Sequence, residues 1–225
     1  RAEFHHPMKA LHVMLQAAPS LLRGLQVTFE VSLLSVALSL AAGVLFGVAL
    51  AYGPLLLRLP IRAVVDVVRG IPVLVLIFFV YYVFPAMGIE LGAFVAAVAA
   101  LSLFSACQVA EIIRGAITSV HHGQMEAARA IGLTFPQCLF SVIFPQALRR
   151  FLPPWINSVT DTVKGSALVS LLGIVDLMLA IQQVIGRTYE PMPFYILGAL
   201  IYLTINYALS SASRRLEAHF AYVRD

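Results

Sequence analysis

Four stretches of the chain, residues 31–57, 70–89, 91–110 and 191–213, are predominantly apolar and contain no charged side chain. A helix rises about 1.5 Å per residue, so about 20 such residues cross the hydrocarbon layer of a bilayer. Each stretch therefore predicts a membrane-spanning helix. Pro54 predicts that the first ends before Leu57, while Pro85 and Gly88 punctuate a tight turn between the second and third. Residues 151–186 are also long enough to cross, but they carry Asp161, Lys164 and Asp176 among apolar neighbours. Glu30 stands at the start of the first predicted span, an interfacial position.

The distribution of basic residues decides how the charged stretch is read. If it crosses once, one side of the membrane holds Arg58, Arg62, Arg69, Arg114, Arg129, Arg149, Arg150, Arg214, Arg215 and Arg224. The other holds Arg1, Lys9, Arg23 and Arg187, with Lys164 inside the span. If it does not cross, Arg187 joins the first group and the three C-terminal arginines leave it, and the asymmetry nearly vanishes. Cytoplasmic loops concentrate Lys and Arg, which favours the asymmetric arrangement. The expected fold is an all-α integral membrane protein with about five transmembrane helices, N-terminus periplasmic and C-terminus cytoplasmic. It forms a single transmembrane domain over residues 1–225.

Composition agrees. Hydrophobic residues make up 60% of the 225 positions and charged ones 12%, too little polar surface to cover a water-soluble globule. The net charge of +4 comes without a basic stripe interleaved with aromatics, so it does not indicate nucleic acid. Cys107 and Cys138 lie in apolar surroundings without metal-type spacing and read as small core residues. His121 and His122 are adjacent, face different sides of a helix and make a poor metal pair. Residues 1–8 lack the layout of a signal peptide, and Met8 is a candidate natural start. Tyr81, Tyr82, Trp155, Tyr189 and Tyr195 fit an aromatic belt near span ends.

Residues 117–150 form neither a span nor a short turn. Gly123, Gly132, Pro136 and Pro145 divide them, 124–131 has good helix formers, and Pro136 suits the opening of a second helix. The pattern predicts a helical hairpin on the cytoplasmic surface. By pattern alone it fits equally a contact for a partner and a hairpin lying on its own protein.

Within this loop, Gly123-Gln124-Met125-Glu126-Ala127-Ala128 followed by Gly132 and then Ile143-Phe144-Pro145 resembles the EAA loop of permease subunits in binding-protein-dependent ABC importers. Arg69-Gly70-Ile71-Pro72 and Ala110-Glu111-Ile112-Ile113-Arg114-Gly115 are similar to signatures of the branch that carries polar amino acids, the histidine and glutamine permeases among them. So is Lys164 with Ser166, Leu168 and the run 172–177. The matches cover roughly residues 24–215. Phe104 and Gln108 depart from the branch, which often has Asn and Tyr there, and Gly165-Ser166-Ala167-Leu168 replaces a common Asp-Thr-Ser-Leu.

The resemblance implies a permease for a polar or charged amino acid in the bacterial cytoplasmic (inner) membrane. It implies a second permease chain, identical or related, two cytoplasmic ATPase subunits that bind ATP and Mg, and an extracytoplasmic amino-acid-binding protein. No Walker A sequence occurs, so hydrolysis by that chemistry belongs to a partner, and this chain is expected to be no enzyme and to hold no cofactor or metal. The coupling residues it implies are Gly123, Gln124, Glu126, Ala127, Ala128, Gly132 and Pro145. Glu126 would meet basic or polar partner groups, the two alanines would permit close approach, and Gly132 would turn the chain.

Ionisable groups within spans usually face a bundle interior or a wet cavity. On that ground Glu111, Asp161 and Lys164, with Gln108, Asn157 and Ser166 more weakly, are candidate pathway residues, and the resemblance implies the same for Phe104. Glu111 and Gln108 would meet the α-amino or side-chain group of the solute. Two alternatives stay open: a salt bridge from Glu111 to Arg114, and an Asp161–Lys164 pair, each three residues apart on a helix. Arg69 reads as a cytoplasmic anchor. An ion-coupled secondary transporter would leave the loop unexplained and lacks the expected internal repeat. A membrane-embedded enzyme lacks a convergent nucleophile–base set, and a structural subunit leaves Glu111 and Lys164 without a task.

Overall fold

The computed structural model describes residues 7–221, with side-chain surroundings for residues 14–215. Among the described residues the chain is helical and forms no strand. The helices are α1 (Pro7–Tyr52), α2 (Leu55–Gly70), α3 (Val73–Ala86), α4 (Ala93–Thr118), α5 (His122–Ala130), α6 (Phe135–Cys138), α7 (Phe144–Gly165), α8 (Leu177–Thr188) and α9 (Pro191–Ala221). A π-turn at Leu139–Ile143 precedes α7 and a 3-10 segment at Ser166–Leu172 follows it.

Three segments are long and apolar enough to cross a membrane alone: Met14–Tyr52, Ala93–Thr118 and Pro191–Arg215. Two more crossings arise only if a bent pair counts as one span: α2 with α3, bent by 108°, and Phe135–Leu172 with α8, bent by 50°. The predicted span at 70–89 is thus found only as part of the bent pair α2 with α3. α3 has 14 residues, about 21 Å of helix, which is short of the hydrocarbon thickness. Pro72 explains the break, because the residue before a proline is pushed out of the helical region, and Ile71 is extended (φ −98°, ψ 135°). α2 is amphipathic; its arginines end any charge-free run, so a search for such runs passes over it.

The first span also differs. α1 continues without interruption far upstream of Val31, so Glu30 lies within the helix, exposed, where it accepts a bond from Gln26 Nε2 at 2.8 Å. Pro54 ends α1 as expected, with Tyr52 its last residue. Trp155 lies inside α7, stacked on Phe151 at 5.7 Å.

α4 is the central helix, and α1 lies along it. Close approach is set by small residues: a Cβ on Gly43 would stand 2.5 Å from Val109 Cγ1, and one on Gly47 would stand 2.8 Å from the Ala110 carbonyl. Ser32, Ser35 and Ser39 continue the buried small-residue face of α1 towards Thr28. Such faces let helix backbones pack closely in lipid, where no hydrophobic force drives them together. Ser105 and Thr162 share a hydrogen bond of 2.8 Å that ties α4 to α7. A second core joins the upstream part of α1 to α8 and α9 around Leu177, Ile181 and Phe194.

Candidate functional site

Two regions collect the candidate residues. The first is a cavity of about 470 Å³ lined by Arg69 at the end of α2 and by Phe104, Gln108, Glu111 and Ile112 on α4. The spacing 104, 108, 111 puts three half-buried side chains on one face of α4. Gln108 is held by Ser158 of α7, whose Oγ donates to Gln108 Oε1 at 3.3 Å.

Glu111 is pinned on both sides. Arg62 NH1 reaches Oε1 at 2.6 Å, and Arg114 reaches Oε2 through NH2 at 2.8 Å and Nε at 3.2 Å. Its side chain is 15% exposed. Arg62 extends the network to Asp66 at 3.8 Å. Of the two readings of Glu111, the bridge to Arg114 is formed. Arg62 adds a partner that spacing along the sequence could not reveal, since it lies 49 residues away on a helix not predicted.

The α7 candidates divide. Asn157, Asp161 and Lys164 form one exposed stripe at helical spacing, and Asp161 and Lys164 pair at 2.8 Å with both side chains more than half exposed. Ser166 is fully buried, and its hydroxyl donates to the Val163 carbonyl at 2.8 Å. It stabilises the end of α7. Arg69, which the sequence presents as an anchor, lines the cavity instead. Its side chain faces Gln108 and Glu111 across the cavity, and the bend at Pro72 brings it there.

The second region is the hairpin. α5 spans His122–Ala130, capped by His121 Nδ1, which accepts the Gly123 N–H at 3.1 Å. It ends in a Schellman-type turn: Leu133 N–H donates to the Ala128 carbonyl at 3.2 Å and Gly132 N–H to the Arg129 carbonyl at 2.9 Å. Gly132 sits at φ +87°, a conformation that favours glycine. Thr134 N–H donates to Gln137 Oε1 at 2.8 Å, and Pro136 lies in the first turn of α6, as its sequence position predicts.

The exposed face of α5 presents Gln124, Glu126, Ala127 and Arg129, with Ile131 beyond its end. Ala128 is buried, 4% exposed, so its small size serves the fit of α5 onto its own chain. Gly123 is half-buried, and Pro145 is exposed in the first turn of α7. The hairpin root is a small core of Ala116, Val120, Ile143 and Ala147.

A helical bundle with broken spans, a half-open polar cavity on its central helix and a structured hairpin between spans defines a membrane transport component. The chain belongs to the family of binding-protein-dependent transport system inner membrane components, whose profile matches residues 43–222. It is 37% identical over 199 residues to the probable glutamine ABC transporter permease protein GlnP of Bacillus subtilis (strain 168), covering 86% of this chain and 90% of that one. It is 34% identical over 203 residues to the glutamine transport system permease protein GlnP of Escherichia coli (strain K12), covering 89% and 93%. A solved structure described as an amino acid ABC transporter with histidines matches with a TM-score of 0.85 at 32% identity, covering 92% of this chain and 96% of that one.

Proposed function

We propose that the chain is the permease subunit of an inner-membrane importer for a polar amino acid, driven by ATP hydrolysis in separate subunits and supplied by an extracytoplasmic binding protein. The observation that carries the substrate class is the cavity beside α4. Arg69, Arg62 and Arg114 stand around Glu111, with Asp66 at the far side of Arg62, three cations to two carboxylates, so the local field keeps a positive excess that suits the α-carboxylate every amino acid carries. Gln108, its carbonyl engaged by Ser158, offers its amide N–H groups to the solute. Phe104 supplies an apolar wall. The glutamine specificity in the names of the two relatives fits a neutral, amide-bearing side chain.

Coupling in this reading runs through α5. Glu126 and Ala127 face outward and dock into the ATPase, while Ala128 and Gly132 hold the helix in place for them. ATP and Mg are bound by the partner. The exposed Asn157, Asp161 and Lys164 stripe faces the second permease chain across the pathway. The N-terminus is periplasmic, and the hairpin and C-terminus are cytoplasmic.

The test uses the assembled transporter with its ATPase in proteoliposomes. Glu126→Arg with Ala127→Trp is expected to lose the co-purifying ATPase while the permease remains folded. Gln108→Leu is expected to retain the ATPase and lose amino acid uptake by tenfold or more. Retention of full uptake by Gln108→Leu would remove the cavity from the substrate path. Co-purification unchanged by the α5 pair would remove the hairpin as the coupling element.

A further inference from the structure

At the root of the hairpin, where α1, the end of α4, the π-turn and the start of α7 meet, lies a groove of about 360 Å³. Every residue that walls it is apolar, Val44, Val48, Ile117, Phe140, Phe144 and Leu148 among them. An apolar hollow does not hold ordered water, so its natural occupant is a hydrocarbon. Two of its aromatics stay open, Phe140 at 68% and Phe144 at 51% exposure. On α1 the groove is continuous with the outward apolar surface of a span candidate, through Val44 and Leu45. Tyr52 and Phe135 meet edge to face at 5.4 Å across the junction of α1 and α6.

The charge beside this groove is mostly positive. From Ser119 to Arg150 the charged residues are Glu126, Arg129, Arg149 and Arg150, a formal balance of three positive to one negative. Arg149 and Arg150 directly follow the wall residues Ala147 and Leu148. An Arg150 guanidinium N–H donates to the Ser119 carbonyl, which fixes that charge one turn from Ala116 on the groove wall. An apolar groove continuous with the exposed apolar face of α1, with arginines at its end, matches one chemistry, a fatty chain joined to an anionic head.

We propose that the hairpin root binds an anionic phospholipid, with an acyl chain in the groove and its phosphate at Arg149 and Arg150. The site touches two spans and the hairpin together, so its occupant braces the hairpin against the membrane-embedded helices. This assignment does not depend on which solute is carried.

The assembled transporter, reconstituted with phosphatidylglycerol bearing a photoactivatable group on one acyl chain, tests it by mapping labelled peptides. Labelling is expected at Val44, Val48 and Phe140–Phe144, several-fold above that from phosphatidylcholine with the same chain. Val48→Phe with Leu148→Trp, which fills the groove from two half-buried positions, is expected to abolish that labelling and leave label on α9 unchanged. Should that pair fail to assemble, Phe140→Glu at a largely exposed position gives the same reading. Arg149→Gln with Arg150→Gln is expected to reduce the preference for the anionic lipid to parity. Unchanged labelling in the filled or charged variants overturns the site, and so does equal labelling by the two lipids in the native chain. Disulfide formation between Val44→Cys of one chain and Phe140→Cys of another also overturns it, because a second copy then occupies the groove.

Discussion

At the scale of single residues, Glu111 decides how the cavity is tested. A carboxylate held by two guanidinium groups contributes to the α2–α4 contact as well as to the field of the cavity. Hydrogen bonds to charged groups are worth about 1.5–3 kcal/mol each. Glu111→Gln is therefore expected to lower the thermal midpoint of the purified transporter, by a loss in that range, together with uptake. Gln108→Leu removes a neutral group with one long hydrogen bond, and the midpoint is expected to stay while uptake falls. A stable Glu111→Gln transporter with full uptake would contradict both roles. The Arg114 half of this arrangement was legible in the sequence as a pair three residues apart. The Arg62 half was not, because it depends on where the bend at Pro72 sends α2.

At the scale of elements, hydropathy reports which segments are apolar but not how closely they pack. Gly43 and Gly47 recur four apart in a stretch that reads only as greasy, and their role appears once α4 lies against them. Gly47→Ala already places a methyl 2.7 Å from Ile113 Cβ, and overpacking of this kind costs about 1–3 kcal/mol. The expected outcome is a lower yield of assembled transporter on gel filtration. Gly186→Ala on α8, where a Cβ meets nothing within 4 Å, is the matched control and should be neutral or slightly stabilising. The hairpin was more legible, because its caps are local: Gly132 and Pro136 mark its turn in the sequence as well as in the structure. Gly132→Ala forces an L-residue to φ +87°, at about 1–2 kcal/mol. Fewer amino acids moved per ATP hydrolysed is the expected result, with Glu126 and Ala127 themselves untouched. The burial of Ala128 was not legible, since the sequence pattern makes adjacent alanines look alike.

For the molecule as a whole, the arrangement rests on the bent pairs. Among the described residues three helices are long and apolar enough to cross alone, and the sequence predicts five crossings because basic residues then gather on one side. The two statements agree only if α2 with α3 carries the chain across once, and the 3-10 segment with α7 and α8 does so again. Neither pair is a regular span: α3 supplies only about 21 Å of helix, and α7 contains Pro153 and Pro154 before it gives way to the 3-10 turn. Irregular backbone at membrane depth is tolerated where protein or a wet cavity covers it, and the cavity beside Arg69 adjoins the first break. Single cysteines read out the result, since Cys107 and Cys138 are both buried and give little background. With an impermeant thiol reagent added outside cells, Gly88→Cys and Glu190→Cys are expected to label, while Ala130→Cys labels only after the membrane is opened. If Gly88→Cys is also protected, α2 and α3 form a re-entrant pair on the cytoplasmic side and α4 begins inside. The charge asymmetry would then have assigned the hairpin to the wrong face, and Ala130→Cys would label from outside. Labelling of Gly88→Cys from outside and of Ala130→Cys only from inside is the outcome that leaves α2 with α3 as one crossing, with α4 running inward so that its C-terminal end feeds a cytoplasmic hairpin.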